Sequence, residues 1–475
     1  MTSLRINPLE LPEIRSAVGQ YLSRPDLARC LRVCKSWHAS FVPLVWSTAH
    51  IYSYPSDNNP PLETFIRCSH YIKDLHLNIN APQEYMFTPC PNLLRLRVNG
   101  YWSKKSEGAD IVPIEIAQYE QLCYLSINGH NIQSQRIIWR PIHYHSLSEL
   151  ELRNLEIEPT CTATFWDLCT QLVSLKIEEV TVAAMPARSI AFDRLQHLEL
   201  ELKSQTLEHQ LDWITQCPNL TSLKWRSNGS RLASDFAEGF IPGTSTWDSL
   251  RELMLARFEF ADGQLAWIIG VMRELRALNV NSCRVGSRSL KALCLHSQSL
   301  RSLDIATCDV ITPSFVPGVL ASFPHLEFLA FDSVMSQDII DGPPWACGSS
   351  LTKLTAGFQF IPDQDNQYLV YHQRQVLQKV SRLTNLKELH LIRGRYNTRS
   401  LDLRLETGLD HLVTLKQLET FSLFTGIYCA SVRDVEWMID NWKNLKKFNG
   451  NLKLTWLDDK HLTAKFQAAG IQCSL

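Results

Sequence analysis

Apolar residues return in one short phrase along most of the chain. Leu250, Leu253 and Leu255 set it out; Leu275, Leu278 and Val280 repeat it, then Leu300, Leu303 and Ile305, then Leu326, Leu329 and Phe331. Successive copies start about 25 residues apart. Residues two apart in an extended strand share a face, so Leu253 and Leu255 point one way and Met254 the other. Each phrase therefore predicts a strand. The stretch behind it predicts a helix: from Asp262 to Leu275 the apolar residues Leu265, Ile268, Ile269 and Met272 keep helical spacing, and Ser287 to Leu300 follows the same plan. One strand and one helix cannot bury their own apolar edge. Stacked copies can, and the stack is a solenoid.

With conservative replacements the phrase starts at Ile72, Leu93, Leu122, Leu147, Leu172, Leu195, Leu220, Leu250, Leu275, Leu300, Leu326, Leu351, Leu386, Leu418 and Leu445, about fifteen copies at a mean spacing near 27. That period is a leucine-rich-repeat period. The expected fold is α/β: a leucine-rich-repeat solenoid over 72–455, a horseshoe with parallel strands on the concave face and helices on the convex face. Trp456 to Ile471 reads as a closing helix, so 456–475 is expected to cap the array.

The first 46 residues differ. Pro12 opens a helix, where its missing N–H costs nothing, and Ile14, Val18, Tyr21 and Leu22 form one apolar stripe along it. Ser23-Arg24-Pro25-Asp26 starts a second helix that carries Leu27, Cys30, Leu31, Val33, Cys34, Trp37 and Phe41. This apolar surface is wider than a single stripe, and so short a unit buries too little to stand alone. The first repeats or another protein should cover part of it. Residues 47–71 are expected to be a joint, broken by the turn-rich run Tyr54 to Pro61.

Leu11-Pro12-Glu13-Ile14, Val18, Tyr21-Leu22, Asp26-Leu27, Cys30, Val33-Cys34, Trp37 and Leu44-Val45-Trp46 resemble an F-box in order and spacing, with Arg15-Ser16 standing where an aliphatic pair is common. The segment is especially similar to the start of fungal F-box proteins with leucine-rich repeats. That resemblance implies docking on a Skp-type adaptor, and through it on the cullin and RING subunits of an SCF-type ubiquitin ligase. It implies adaptor contacts at Leu11, Pro12, Ile14, Val18, Leu22, Leu27, Val33 and Trp37. Cysteines recur at fixed repeat positions: Cys283 and Cys308 three residues after a strand, Cys90, Cys169 and Cys217 three before the next. They resemble the cysteine-containing repeats common behind F-boxes, and packed thiols are the expected reading.

Substrate-facing candidates come from two sources. In the strand register Glu149, Glu151, Glu178, Glu199 and Glu201 cluster on adjacent repeats with Lys176 and His197, between basic Arg95 and Arg97 on one side and Lys224 and Arg226 on the other. Such a patch suits a basic segment; an ordinary solvated strand face is the blander alternative. Four repeat intervals run long, Leu93–Leu122, Leu220–Leu250, Leu351–Leu386 and Leu386–Leu418. The third carries Phe358 and Phe360 ahead of a helix through Val370, Val376, Leu377 and Val380, the fourth Arg393, Arg395 and Tyr396. Aromatic and arginine residues are enriched in binding hot spots.

Composition narrows the classes. The 475 residues carry a formal charge of −1, which argues against nucleic acid or an anionic membrane as the main partner. The longest apolar run, near Leu265–Met272, is about eight residues, well short of a membrane span of ~20. The start MTSLRINPLELPEI has no apolar signal core. Two glycosylation sequons, at Asn219 and Asn228, are of the frequency chance gives, and fourteen cysteines in a chain this long form no secreted-type framework. A cytoplasmic or nuclear protein is expected. No catalytic motif is visible: no G-x-S-x-G, P-loop, H-E-x-x-H or C-x-x-C pair. Cys30, Cys34 and His38 on one helix lack a fourth zinc ligand, and His143 and His145 lack a third, so neither a metal nor a cofactor is expected. Two functions fit: the non-catalytic substrate receptor of an SCF-type ligase, or a leucine-rich-repeat interaction scaffold with no ligase role.

Overall fold

The computed structural model describes the chain except residues 1–7, 53–58, 79–80, 82–83, 86–87, 100–110, 113–118, 130–135, 138–145, 204, 228–246, 311, 361–365, 394–400, 425–430, 451–455 and 475. Two compact units divide at Cys217/Pro218.

The first unit begins with three helices, α1 (Pro12–Gly19), α2 (Arg24–Cys30) and α3 (Lys35–Trp46). Seven parallel strands follow: Thr48–Ile51, Asp74–Leu77, Arg95–Asn99, Tyr124–Asn128, Glu149–Arg153, Ser174–Val180 and His197–Leu202, each paired in register with the next. Alternation decides which side chains go inward. Leu150 and Leu152 are buried while Glu149 is exposed, and Leu175 and Ile177 are buried between half-buried Ser174, Lys176 and Glu178. Helices Thr162–Cys169 and Leu207–Ile214 close the other side of the core, where the rings of Trp166 and Trp213 meet at 4.8 Å. A second, small parallel ladder joins Ile111–Val112, Arg136–Ile137 and Glu156–Ile157.

The second unit stacks ten strands the same way, from Ser222–Arg226 to Gln472–Ser474. Its helices include Asp262–Gly270, Ser287–Cys294, Phe315–Ser322, Asn366–Val380 and Val432–Asn441. The leucines of the repeated phrase are all but fully buried, each contributing roughly 1.5–3 kcal/mol relative to exposure. Both units are leucine-rich-repeat solenoids. Every one of the repeat starts from Ile72 to Leu445 is followed two residues later by a strand.

Within the long sheet, two strands have no leucine phrase. Thr48–Ile51 lies inside the expected joint and pairs with Asp74–Leu77; Gln472–Ser474 follows the closing helix Trp456–Ala468 and pairs with Lys447–Asn449. The second expected helix is also two helices, because the chain turns after Cys30 and Cys34 caps α3 in extended conformation at φ −165°. Cys30, Cys34 and His38 therefore do not share one helix face.

Buried cysteines behave as packed thiols. Cys283 Sγ donates to the Phe258 carbonyl at 3.5 Å and Cys308 Sγ to that of Val280 at 3.2 Å, each reaching back one repeat. Burial pushes the thiols of Cys90 and Cys217 up to about 12.

Candidate docking surfaces

The helical unit is held from beneath and open above. Ser23 caps α2, accepting from the Asp26 amide at 3.4 Å. The end of α1 lies directly on α3: a Cβ at Gly19 would sit 2.4 Å from Leu44 Cδ1. Arg15 turns inward, buried, and donates through Nη1 to Ser36 Oγ at 3.0 Å. It thus ties α1 to α3 and leaves the outer face apolar. Arg24 Nη2 donates to the Thr48 carbonyl at 3.1 Å, fastening α2 to the first strand.

On the outside of the helices, apolar side chains remain uncovered. Leu11 is 44% exposed, Val33 60% and Tyr21 90%; Ile14, Val18 and Pro12 are exposed as well. Leu11, Ile14 and Val18 follow helical spacing, so they form one row. Leu22 and Trp37 are half-buried, Trp37 against Phe41 with ring centroids 5.5 Å apart. Leu27 does not belong to this face. At 7% exposure it faces the interior of the helical unit, which corrects its expected role as a contact residue. Tyr21, the most exposed aromatic here, belongs to the stripe and the motif that the sequence shows but not to the expected adaptor contacts.

The strand face of the first unit brings the predicted acids together, though not as a bare acidic patch. Glu151 lies opposite Lys176, which lies opposite Glu199; two residues on, Arg153, Glu178 and Glu201 form the next row. Lys176 Nζ is 2.9 Å from Glu199, 3.7 Å from Glu178 and 3.8 Å from Glu151. Arg153 Nε donates to Glu151 at 2.8 Å and stands 3.4 Å from Glu178. Burial pushes the Glu151 carboxyl up, but hydrogen bonds from Tyr124 and Arg153, with the charges of Arg153 and Lys176, outweigh it and hold the group below its usual range. Glu201 is buried; Glu149 and His197 are exposed at the edge. Toward the first strand the face changes sign: Arg97 lies over the Tyr124 ring at 5.2 Å and bonds His76 at 2.8 Å, and the His76 ring lies 4.2 Å from that of His50. Burial lowers both histidines, favouring neutral rings.

In the second unit the expected aromatic loop is core. Phe358 and Phe360 are 3% and 1% exposed, and Phe358 packs edge-on to Phe331 at 5.7 Å. They are interior because strand Lys353–Gln359 runs on past the usual length. Neither is presented to a partner. Arg393 is exposed, its amide bonded to the Phe424 carbonyl at 3.0 Å, while Arg395 and Tyr396 lie outside the described residues. No sequence signal marks a cleft of about 450 Å³ near Arg284, Asp309, Val334 and Asp338. Among the described residues no three His, Cys, Asp or Glu side chains gather as a metal group, and no helix is long and apolar enough to cross a membrane.

Comparison with protein families matches residues 12–52 to an F-box-like family, which covers the three helices and the first strand. Comparison with curated proteins gives no match. Among solved structures, an internalin of Listeria monocytogenes is 16% identical with a TM-score of 0.40, covering 75% of this chain and 88% of its own. A chain of the mouse RP105/MD-1 complex is 13% identical with a TM-score of 0.46, covering 90% of this chain and 74% of its own.

Proposed function

We propose that this chain, an F-box-like helical unit followed by leucine-rich repeats, is the substrate receptor of an SCF-type cullin–RING ubiquitin ligase. α1 and the turn after α2 hold a Skp-type adaptor through Leu11, Pro12, Ile14, Val18 and Val33, with Leu22 and Trp37 at the margin. The repeats hold a protein substrate. The receptor itself is non-catalytic: it accelerates transfer by raising the local concentration of substrate near the ligase, and works in the cytoplasm or nucleus, where adaptor and cullin reside.

One observation carries the reading. The apolar row on the helical unit stays uncovered although the same unit is fastened to the strands behind it. A cap that only shielded the first repeat would bury its apolar side and show a polar one. Large apolar side chains are worth about 1.5–3 kcal/mol each on burial, so loss of two should abolish a complex of ordinary affinity. The test is co-purification from cells expressing the tagged full chain. Adaptor and cullin should both come down with it, and Leu11→Ala with Pro12→Ala should remove both while the melting temperature holds. Adaptor without cullin would instead support an interaction scaffold with no ligase role.

A further inference from the structure

Four consecutive strands of the second unit outgrow their neighbours. Ala277–Val285 and Ser302–Val310 have 9 residues, Phe328–Met335 has 8 and Lys353–Gln359 has 7, against 5 in Glu252–Ala256 and Glu388–Ile392 on either side. The added length lies beyond a break in register. Ser282, at φ +61°, marks that break in the first long strand. In the last, Gly357 comes so close to its neighbour that a Cβ would lie 2.0 Å from the Asp332 carbonyl oxygen.

Past the break the strands pair again, but as two separate couples. Arg284 pairs with Asp309 and Val285 with Val310; Val334 pairs with Phe358 and Met335 with Gln359. The two middle strands pair over Ser302–Asp304 and Phe328–Ala330. The cleft of about 450 Å³ opens between the couples, with Asp309 and Val310 on one wall and Ser333, Val334 and Met335 on the other. Its volume is within the usual range for a ligand site, ~300–1,000 Å³.

We propose that this slot takes an extended, basic peptide segment, added as a strand along Ser333–Met335. One edge of that segment is occupied by Phe358–Gln359, and the other borders the cleft. A strand edge binds any extended backbone, while the neighbouring side chains select among sequences. Here they select for positive charge. Arg284 faces Asp309 in register, which leaves Asp338 at the cleft as the surplus acid, with Asp341 close enough to raise it further beyond the effect of burial. A lysine or arginine arriving there answers that charge, and Val310, Pro313 and Met335 suit an apolar neighbour.

The inference goes beyond the ligase reading and does not rest on it. Every lining residue lies in the second unit, and the assay omits the adaptor, so a failure here leaves adaptor co-purification as it was. The purified full chain is panned against displayed short random peptides, and the leading peptide is synthesised. Enrichment of Lys or Arg among β-branched and apolar residues is expected. Asp338→Lys, on a part-exposed helix position, should weaken binding roughly tenfold or more by placing like charges together. Methylating alternate backbone amides of the peptide should abolish binding to the unaltered protein, since strand addition needs those donors. Failure to enrich any sequence overturns the inference. So does enrichment of acidic peptides, equal affinity for Asp338→Lys, or undiminished binding of the methylated peptide.

Discussion

Asp262 grips Gly286 across the boundary between two repeats. Its carboxylate accepts the Gly286 amide at 2.8 Å, and also the Ser289 amide at 2.9 Å, the Ser289 hydroxyl at 2.6 Å and the Arg288 amide at 3.0 Å. The first residue of one helix thereby caps the N-terminus of the next, satisfying donors that have no partner within their own helix. Asp434 does related work, accepting the Leu405 amide at 2.9 Å.

Asp262→Ala should destabilise the second unit by about 1–3 kcal/mol, the upper range of a lost cap with a buried partner. The effect should depend on pH. Burial raises the Asp262 carboxyl, but bonds from Ser289, Arg288 and Gly286 outweigh it, so the folded value is depressed. A depressed carboxyl stabilises fully above its unfolded value of about 3.9 and loses that contribution as pH falls through the folded value. Thermal melts should show the variant and the parent converging in acid and separating toward neutrality.

Leu27 and Val33 should part company. Leu27→Ala removes a buried side chain and should cost about 2–5 kcal/mol of stability. Val33→Ala, at a position 60% exposed, should leave melting unchanged within ~0.5 kcal/mol. If the helical unit docks an adaptor, Val33→Ala lowers adaptor recovery without that thermal penalty. Calorimetry beside quantitative pull-down separates the two effects.

Gly357→Ala should be disruptive although the change is one methyl group. The Cβ would meet backbone, the Asp332 carbonyl, and backbone cannot swing aside. Overpacking of this kind costs about 1–3 kcal/mol. Hydrogen exchange should show protection lost first where Val334 and Met335 pair with Phe358 and Gln359, with strands Glu252–Ala256 and Thr420–Phe424 unaffected.

Thiol labelling should divide the cysteines sharply. Cys90 and Cys217, pushed up to about 12 by burial, and buried Cys169, raised well above the ordinary value by the same cause, should resist iodoacetamide at mildly alkaline pH until the chain unfolds. Cys34 should label first. It is exposed, and its thiol is lowered by hydrogen bonds from Ser36 and the Trp37 amide. Mass spectrometry of native and denatured samples reads both groups.

The solenoid is legible because leucine spacing reports directly on which strand residues go inward. Ile72 through Leu445 mark their strands; Thr48–Ile51 escapes because Thr-Ala-His-Ile carries no leucine phrase. The break between α2 and α3 carries neither proline nor glycine, so the apolar run through Cys30, Val33 and Cys34 reads as continuous. Phe358 and Phe360 read as a loop because the phrase fixes only the first five strand positions. Extension beyond it depends on the register break and on Gly357 meeting Asp332, a contact between repeats that one repeat's sequence does not contain. The charges of Glu151, Glu178 and Glu199 are visible in the chain; that Lys176 sits among all three emerges only when the strands lie side by side.

A single residue separates α3, ending at Trp46, from the strand beginning at Thr48. That residue, Ser47, has its hydroxyl on the Leu44 carbonyl at 2.7 Å and its own carbonyl on the amides of Lys73 and Asp74, both at 2.9 Å. No slack remains for a swivel. Whatever seats on the three helices inherits a fixed bearing on the seven strands behind them, so lengthening the chain at Ser47 by a few glycines would uncouple aim from grip while leaving both surfaces whole.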